Sequence, residues 1–194
     1  MTTDTGAAGG RGRPRADAQR NMSAVLEAAK SAFASAGVGV PAKEIADRAG
    51  VGVGTLYRHF PKRSDLVLAV LQREVEDCIR EATKLEASVD PEQALRAWTE
   101  RFTEFVATKR GLAAALHSTD PAFEGLGTRM LGQLAPSAAT LLTAAAECGA
   151  VRDDVDATDL LRAVAHLSIP GPDDAAFSRR MVRVLLDGLR RRDQ

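Results

Sequence analysis

Apolar residues recur along this 194-residue chain at intervals of three and four positions, the spacing that places side chains on one side of an α-helix. From residue 91 onward the chain shows only helical signal and loops. The pattern predicts an all-α protein of about nine helices. The predicted helices cover residues 17–36, 42–48, a short helix containing 55–60, then 62–87, a helix from 91 that carries 95–106, 112–117, 123–147, 156–168 and a last one from 173 or 174.

Residues that favour helix ends stand between the apolar stripes. Gly37 follows the first stripe, where a left-handed backbone is often needed and glycine adopts it without a Cβ penalty. Asp90 and Asp156 precede later stripes and are suited to accept hydrogen bonds from the free N–H groups of a helix start. Pro136 lacks a backbone donor, so we expect it to kink or split the helix over 123–147.

Two short helices and the turn between them form the most informative stretch. Ile45 and Ala46 give the first an apolar side, and Leu56 and Phe60 give one to the second. Gly50 falls where a sharp turn is needed. Two short helices joined by a glycine turn make a helix-turn-helix, whose second helix can lie in the major groove of DNA.

Residues 43–66, KEIADRAGVGVGTLYRHFPKRSDL, resemble the signature of the tetracycline-repressor (TetR) family of bacterial transcription regulators. The matching residues are Ile45-Ala46, Ala49-Gly50-Val51, Gly54-Thr55-Leu56-Tyr57, His59-Phe60, Arg63 and Leu66. The resemblance implies an N-terminal three-helix DNA-binding domain, followed by a helical domain that dimerises and encloses a small-molecule pocket. We therefore expect the first domain over 17–64, with the motif at about 41–60, and the second over 65–194.

The side chains around the second short helix are the expected DNA contacts. By the resemblance, Tyr57 and His59 bind phosphate oxygens; the alternatives are a half-buried core role for Tyr57 and a helix-capping role for His59. Val53, Thr55 and Arg58 are candidates to contact base edges, because methyl, hydroxyl and guanidinium groups can recognise them. The full expected set in this region is Lys43, Gly52, Val53, Thr55, Tyr57, Arg58, His59, Lys62 and Arg63, with Lys62 and Arg63 as clamps on the DNA backbone.

Three arginines precede the first helix on a glycine- and proline-containing backbone. We expect residues 1–16 to form a flexible basic arm, extended at Arg11, Arg13 and Arg15, that enters a narrow minor groove. A solubilising basic tail is the alternative. The charge distribution favours DNA contact at this end: residues 1–70 contain ten Lys and Arg against six Asp and Glu, although the whole chain has zero net charge.

The second domain carries aromatic, methionine and histidine side chains that are candidates to line the implied ligand pocket. They are Trp98, Phe102, Phe105, His117, Phe123, Met130 and Met181. The competing interpretation is that these residues are plain core, with His117 a structural histidine. If a pocket exists, a small apolar effector is expected. Apolar residues on more than one side of the last helix predict a homodimer.

Composition and spacing argue against several other classes of function. The three histidines are far apart and no paired carboxylates share an apolar context, so no catalytic, metal or cofactor site is predicted. Cys78 and Cys148 lack a metal or redox spacing and are expected to be reduced core thiols. No apolar run approaches the length of about 18 residues that a membrane span needs. The N-terminus lacks the apolar core of a signal peptide, so a cytoplasmic protein is expected.

The favoured function is a dimeric repressor that a small apolar ligand releases from a palindromic operator in double-stranded DNA. Two alternatives stay open. One is a protein that recognises DNA shape without ligand control, and the other is a helical small-molecule carrier or enzyme.

Overall fold

The computed structural model describes residues 13–87, 90–168 and 175–191 of the chain. Over these residues the protein consists of α-helices and two short 3₁₀ turns, with no β-strand, which confirms the all-α class. The helices are α1 (Arg13–Ala36), α2 (Ala42–Ala49), α3 (Val53–His59), α4 (Arg63–Glu86), α5 (Pro91–Thr108), α6 (Ala113–Leu116), α7 (Leu126–Glu147), α8 (Ala157–Leu167) and α9 (Ala175–Gly188). In the same ranges, no helix combines the length and apolarity that crossing a membrane requires.

The first helix begins earlier than predicted. α1 starts at Arg13, so Arg13 and Arg15 are helical and not extended. Pro14 is tolerated there because a nitrogen in the first helical turn has no intrahelical acceptor. The prediction of an extended arm is therefore wrong for residues 13–16, and Arg11 lies outside the described residues.

The helix ends follow the chemistry of their boundary residues. Gly37 and Gly50 have φ values of 73° and 68°, the left-handed geometry expected after α1 and α2. The Asp90 carboxylate accepts a hydrogen bond from a first-turn N–H of α5 at 3.1 Å. Asp156 accepts two such bonds at the start of α8, at 2.8 and 3.1 Å. These predicted caps are confirmed.

Pro136 does not divide the seventh helix. α7 runs without interruption from Leu126 to Glu147 with Pro136 inside it. Pro136 and Gly132, the residue whose carbonyl loses its helical partner, both face solvent. Water can therefore hydrate that carbonyl, which reduces the cost of the missing hydrogen bond. The predicted split is wrong for this reason.

A continuous hydrophobic core runs through the molecule. α4 is central to it, because it packs against α1 on one side and against α5 and α7 on another. We call α1–α3 the head and α5–α9 the body. Phe33 and Ile45 are fully buried in the head, as are Trp98 and Leu141 in the body. Any change in how the body packs on α4 is therefore in a position to move the head.

The two cysteines occupy different environments. Cys78 is buried on α4, and burial raises the pKa of its thiol to about 11. Cys148, at the end of α7, is exposed. The prediction of a core thiol holds for Cys78 and is wrong for Cys148.

Candidate nucleic-acid interface and effector cleft

α3 has one side that holds it to the head and one side that faces solvent. Leu56 is only 2% exposed, and Phe60, which follows the helix, is buried as well. Val53 and Tyr57 are four residues apart, hence on one face, and are 41% and 54% exposed. This exposure argues against a core role for Tyr57. Two exposed large side chains on one short helix indicate a contact surface.

Cationic and imidazole groups border the exposed face of α3. Arg58, His59 and Lys62 are all exposed. Within the described ranges, none of them forms an ion pair with another residue. The His59 ring lies 6.5 Å from the ring of Phe60, centroid to centroid. Arg58 and Lys62 therefore keep their charge available for an external anion such as a phosphate.

The start of α3 carries glycine at two positions that packing does not require to be glycine. A Cβ built on Gly54 would meet no atom within 4 Å, and one built on Gly52 would meet only Thr55 Oγ1, at 3.9 Å. The head itself therefore has room for larger residues. The bare backbone leaves space for another molecule to approach α3 from outside.

α2 ends in the turn that sets its position relative to α3. The Val51 N–H donates to the Ala46 carbonyl at 3.0 Å across this turn. On the exposed side of α2, Lys43 pairs with Asp47 at 2.7 Å. The hydrogen bond to Asp47 raises the pKa of Lys43. An exposed pair of this kind is weak, so Lys43 can exchange Asp47 for a phosphate.

Arg63 uses its guanidinium within the head, which argues against its expected role as a clamp on DNA. Its Nε donates to the Val38 carbonyl at 2.8 Å, and its Nη2 donates to the carbonyls of Val38 and Val40 at 2.6 and 2.5 Å. Its Cζ also lies 4.8 Å from the centroid of the Phe33 ring. Loss of solvent lowers the pKa of Arg63, against a smaller opposing effect of Tyr57. The clamp prediction is corrected: Arg63 braces the loop between α1 and α2 against the start of α4.

Most of the side chains expected to line a ligand pocket form the core of the body. Trp98, Phe102, Phe105 and Met130 are buried. The rings of Trp98 and Phe102 stack at 5.8 Å, and those of Phe102 and Phe105 lie 6.0 Å apart. Trp98 Nε1 donates to the Cys78 carbonyl at 2.9 Å. The competing interpretation as core residues fits these contacts and corrects the pocket prediction for the four.

A cleft of about 270 Å³ lies elsewhere, between α5, the end of α8 and α9. Its lining consists of Glu100, Thr103, Glu104, Ala107, Ser168, Ser178, Arg179, Val182, Arg183 and Leu186. None of the seven predicted ligand residues is among them. His117 is exposed after α6, and Phe123 and Met181 are half-buried outside the cleft.

Hydroxyl groups distinguish this cleft from ordinary core. The hydroxyls of Thr103 and Ser168 donate to backbone carbonyls, at 2.9 and 2.6 Å. Ser178 Oγ is buried and has no hydrogen-bond partner among the residues that the structure describes. A buried hydroxyl without a partner is unfavourable, so this atom suits a ligand group. The sequence carried one signal for the cleft, namely the hydroxyl residue Thr103 within the apolar stripe of α5.

Two family models match separate parts of the chain. The family model described as bacterial regulatory proteins, tetR family, matches residues 25–70, which contain α2 and α3. The model described as transcriptional regulator SbtR-like, C-terminal domain, matches residues 90–191, which is more than half of the chain.

Individual relatives agree with this assignment. The transcriptional activator FasR from Mycolicibacterium smegmatis is 45% identical over 64 residues, which is 32% of this chain and 29% of that protein. The match thus spans less than a third of the curated relative. A solved TetR transcriptional regulator from Streptomyces coelicolor is 34% identical with a TM-score of 0.77, covering 88% of this chain and 99% of that one. A TetR transcription regulatory protein from Mycobacterium vanbaalenii is 39% identical with a TM-score of 0.70, covering 92% and 99%. The chain belongs to the TetR family of transcriptional regulators.

Proposed function

We propose that this regulator acts as a homodimer that binds a palindromic operator through the two copies of α3. The observation that carries the proposal is the exposed Val53–Tyr57 face of α3, bordered by Arg58, His59 and Lys62, which have no ion-pair partner among the described residues. Tyr57, His59 and Lys62 suit phosphate oxygens, which fix the position of a protein on the duplex. Val53 suits the methyl group of thymine.

Recognition of sequence by α3 rests on few groups. Thr55 offers a hydroxyl and a methyl, and Arg58 offers the only guanidinium on the helix. Gly52 allows the backbone to come close, and Lys43 adds a phosphate contact from α2. Because bidentate side chains are scarce, we propose that methyl contacts and the shape of the DNA supply much of the specificity.

The start of α1 is proposed to add contacts outside the major groove. Arg13 and Arg15 lie in its first turn, and Arg11 precedes it. A short basic segment beside a helix-turn-helix can reach a neighbouring minor groove or its phosphates. For Arg13 and Arg15, a helix start takes this role in place of an extended arm.

The apolar surface of α9 supports dimerisation. Phe177 and Val184 lie seven residues apart on this helix, and both are exposed. Met181 lies between them and is half-buried. An apolar stripe two turns long is the kind of surface that a second copy of the chain covers. Two heads in one dimer then match two half-sites of an operator.

The effector is proposed to bind in the cleft between α5, α8 and α9. Val182 and Leu186 give the cleft an apolar wall, and Ser178 Oγ offers an unused hydrogen-bonding group. Glu104 and Arg183, both exposed, place charges of both signs at its edge. These features favour a small amphipathic compound over the purely apolar one that the sequence suggested. It would act by binding preferentially to a state in which the two heads are wrongly spaced for DNA.

Repression is proposed as the direction of regulation, from the resemblance to the tetracycline repressors. The relative FasR is named as an activator. Release from DNA by a ligand is compatible with either direction, because only the place of the operator relative to the promoter decides the outcome.

Fluorescence anisotropy of the full chain tests the DNA-binding part. We expect salt-sensitive binding to a palindromic duplex selected from a random library, with two chains per duplex and weaker binding to a scrambled duplex of the same length. Equal affinity for both duplexes would contradict the proposal. A thermal-shift screen with small amphipathic compounds tests the effector part, since a ligand of the folded state raises Tm. A screen in which no compound shifts Tm or weakens DNA binding would favour the alternative of a protein that recognises DNA shape without ligand control.

A further inference from the structure

A buried carboxylate on α4 joins the head to the body. Glu74 is only 3% exposed and sits among the buried apolar residues of α4. Its Oε1 lies 2.7 Å from Lys30 Nζ, and its Oε2 lies 3.0 Å from Arg101 Nη2. Lys30 belongs to α1 in the head, whereas Arg101 belongs to α5 in the body. Each carboxylate oxygen is therefore held by a different domain.

This arrangement is poorly explained as a source of stability alone. Removing a carboxylate from water is costly, and a buried ion pair is often no more stable than apolar residues of the same volume. A buried carboxylate does, however, restrict the positions of its partners, because it must keep both ion pairs to offset the cost of its desolvation. Lys30 and Arg101 can satisfy Glu74 together only in a narrow range of positions of α1 relative to α5.

Neighbouring contacts strengthen the connection on both sides. Toward the head, Arg73 Nη1 donates to Ser23 Oγ on α1 at 3.1 Å. Toward the body, Arg101 is flanked on α5 by Glu100 and Thr103, which line the cleft described above. A shift of α5 would thus move Arg101 relative to the carboxylate of Glu74.

We propose that Glu74 is a positioning residue that fixes the orientation of the head on the body and thereby sets the distance between the two copies of α3 in the dimer. This inference rests on the proposed function, because it requires two heads that engage one operator. Glu74 itself contacts no DNA. Glu74 affects how strongly the affinity of the dimer depends on the spacing between the two half-sites.

The test uses palindromic duplexes that carry the selected half-sites at the preferred spacing and at spacings one and two base pairs shorter or longer. For each protein, the measured quantity is the ratio of the Kd at altered spacing to the Kd at the preferred spacing. We expect the ratio to fall about tenfold in Glu74→Gln, which is the order of the coupling between charged groups in contact. The control is Glu76→Gln, on an exposed residue of the same helix whose carboxylate, within the described ranges, meets only Gln72 at 3.4 Å. It should leave the ratio unchanged.

Lys30 variants separate positioning from folding. Lys30→Met removes the contact of the head with Glu74 but leaves Arg101 on Glu74, so it should relax the spacing ratio as Glu74→Gln does, even if Glu74→Gln folds poorly. Lys30→Arg keeps the charge and should restore the wild-type ratio. A role in stability alone would instead lower the affinity by the same factor at every spacing.

The outcomes distinguish this inference from the proposed function. If the wild type prefers one spacing and both Lys30→Met and Glu74→Gln keep that preference, the positioning role is overturned while the dimeric operator complex stands. A uniform loss of affinity at all spacings overturns it as well. If the wild type binds no paired half-sites at any spacing, the proposed function fails and the inference fails with it.

Discussion

The guanidinium of Arg63 donates two hydrogen bonds to the carbonyl oxygen of Val38, from Nε at 2.8 Å and from Nη2 at 2.6 Å. Val38 lies in the loop between α1 and α2, whereas Arg63 opens α4. The same guanidinium lies over the ring of Phe33. A residue that the sequence presents as a DNA contact therefore holds the parts of the head together.

This relationship predicts how an Arg63 variant differs from one at the neighbouring Lys62. Arg63→Ala should lower the free energy of unfolding by about 2 kcal/mol, because it removes charge-assisted hydrogen bonds to buried carbonyls. It should leave the slope of log affinity against log salt unchanged. Lys62→Ala should leave stability within about 0.5 kcal/mol and reduce that slope by about 1, as expected for a lost phosphate contact. Denaturant unfolding and salt-dependent anisotropy measure the two effects, and a reduced slope in Arg63→Ala would restore the clamp role.

Removal of the Tyr57 hydroxyl tests a phosphate contact from α3. Tyr57→Phe should weaken operator binding by about 1–2 kcal/mol, the scale of one hydrogen bond to a charged acceptor. Stability should not change, because the side chain is exposed and its hydroxyl makes no bond within the described residues. Fluorescence anisotropy measures the affinity for the operator, and thermal unfolding of the same preparation measures the stability. Equal affinity of variant and wild type would refute the contact.

Gly54 and Gly50 form a matched pair for the close-approach argument. Gly54→Ala adds a methyl where the head has open space, and alanine is favoured over glycine inside a helix by about 1 kcal/mol. We therefore expect a more stable protein that binds DNA less well. Gly50→Ala forces alanine into a φ of 68° and should destabilise the head by about 1 kcal/mol. Undiminished DNA binding by Gly54→Ala would show that nothing approaches α3 at this point.

Ser178→Ala tests the effector cleft without disturbing the fold. The Ser178 hydroxyl is buried and finds no partner in the described part of the chain, so its removal should leave Tm unchanged or slightly higher. Ser168 lines the same cleft, so Ser168→Ala is a comparison for stability only: it removes a hydroxyl that donates to the Val164 carbonyl at 2.6 Å and should cost about 1 kcal/mol. With a compound that shifts the Tm of the wild type, the shift should shrink in Ser178→Ala. A full shift in that variant would place the compound elsewhere.

The pKa of Cys78 predicts a pH dependence of stability. Burial raises it from an ordinary value of 9.0 to about 11, so the folded state holds the thiol protonated while the unfolded state ionises first. The contribution of this group is complete below about pH 9 and is lost as the pH rises from about 9 to about 11. Cys78→Ala should remove that part of the alkaline loss. In the native protein at pH 8, a thiol reagent should titrate Cys148 alone, and modification of both cysteines would contradict the buried position of Cys78.

Helix positions and the exposed side of α3 were predictable from the sequence because they depend on local spacing. Leu56 and Phe60 define the inner side, which leaves Val53 and Tyr57 outside. The turn at Gly50 was predictable for the same reason, since only glycine tolerates that backbone geometry without strain. Such features need no knowledge of distant partners.

The errors at Arg63 and at the predicted pocket residues arose because the decisive partners lie far along the chain. No residue near Arg63 in the sequence indicates that its guanidinium will bind the carbonyls of Val38 and Val40, in the loop between α1 and α2. The apolar stripe of α5 that contains Trp98 and Phe102 would have the same spacing in a packed core and in the wall of a cavity, so spacing alone cannot distinguish the two. Glu74 stands between buried residues of α4, which signals a buried charge, but its partners Lys30 and Arg101 lie on other helices. Three-dimensional packing alone reveals these contacts.

The proposed function requires paired α3 helices to enter successive major grooves of one operator. Methylation protection of guanine N7 measures this directly, because that atom lies in the major groove. With the full chain on a selected palindrome, we expect two protected clusters related by the dyad and separated by about one helical turn, 10–10.5 base pairs, with both clusters weakened in Tyr57→Phe. A single unpaired cluster, or no protected guanine at saturating protein, would contradict this arrangement.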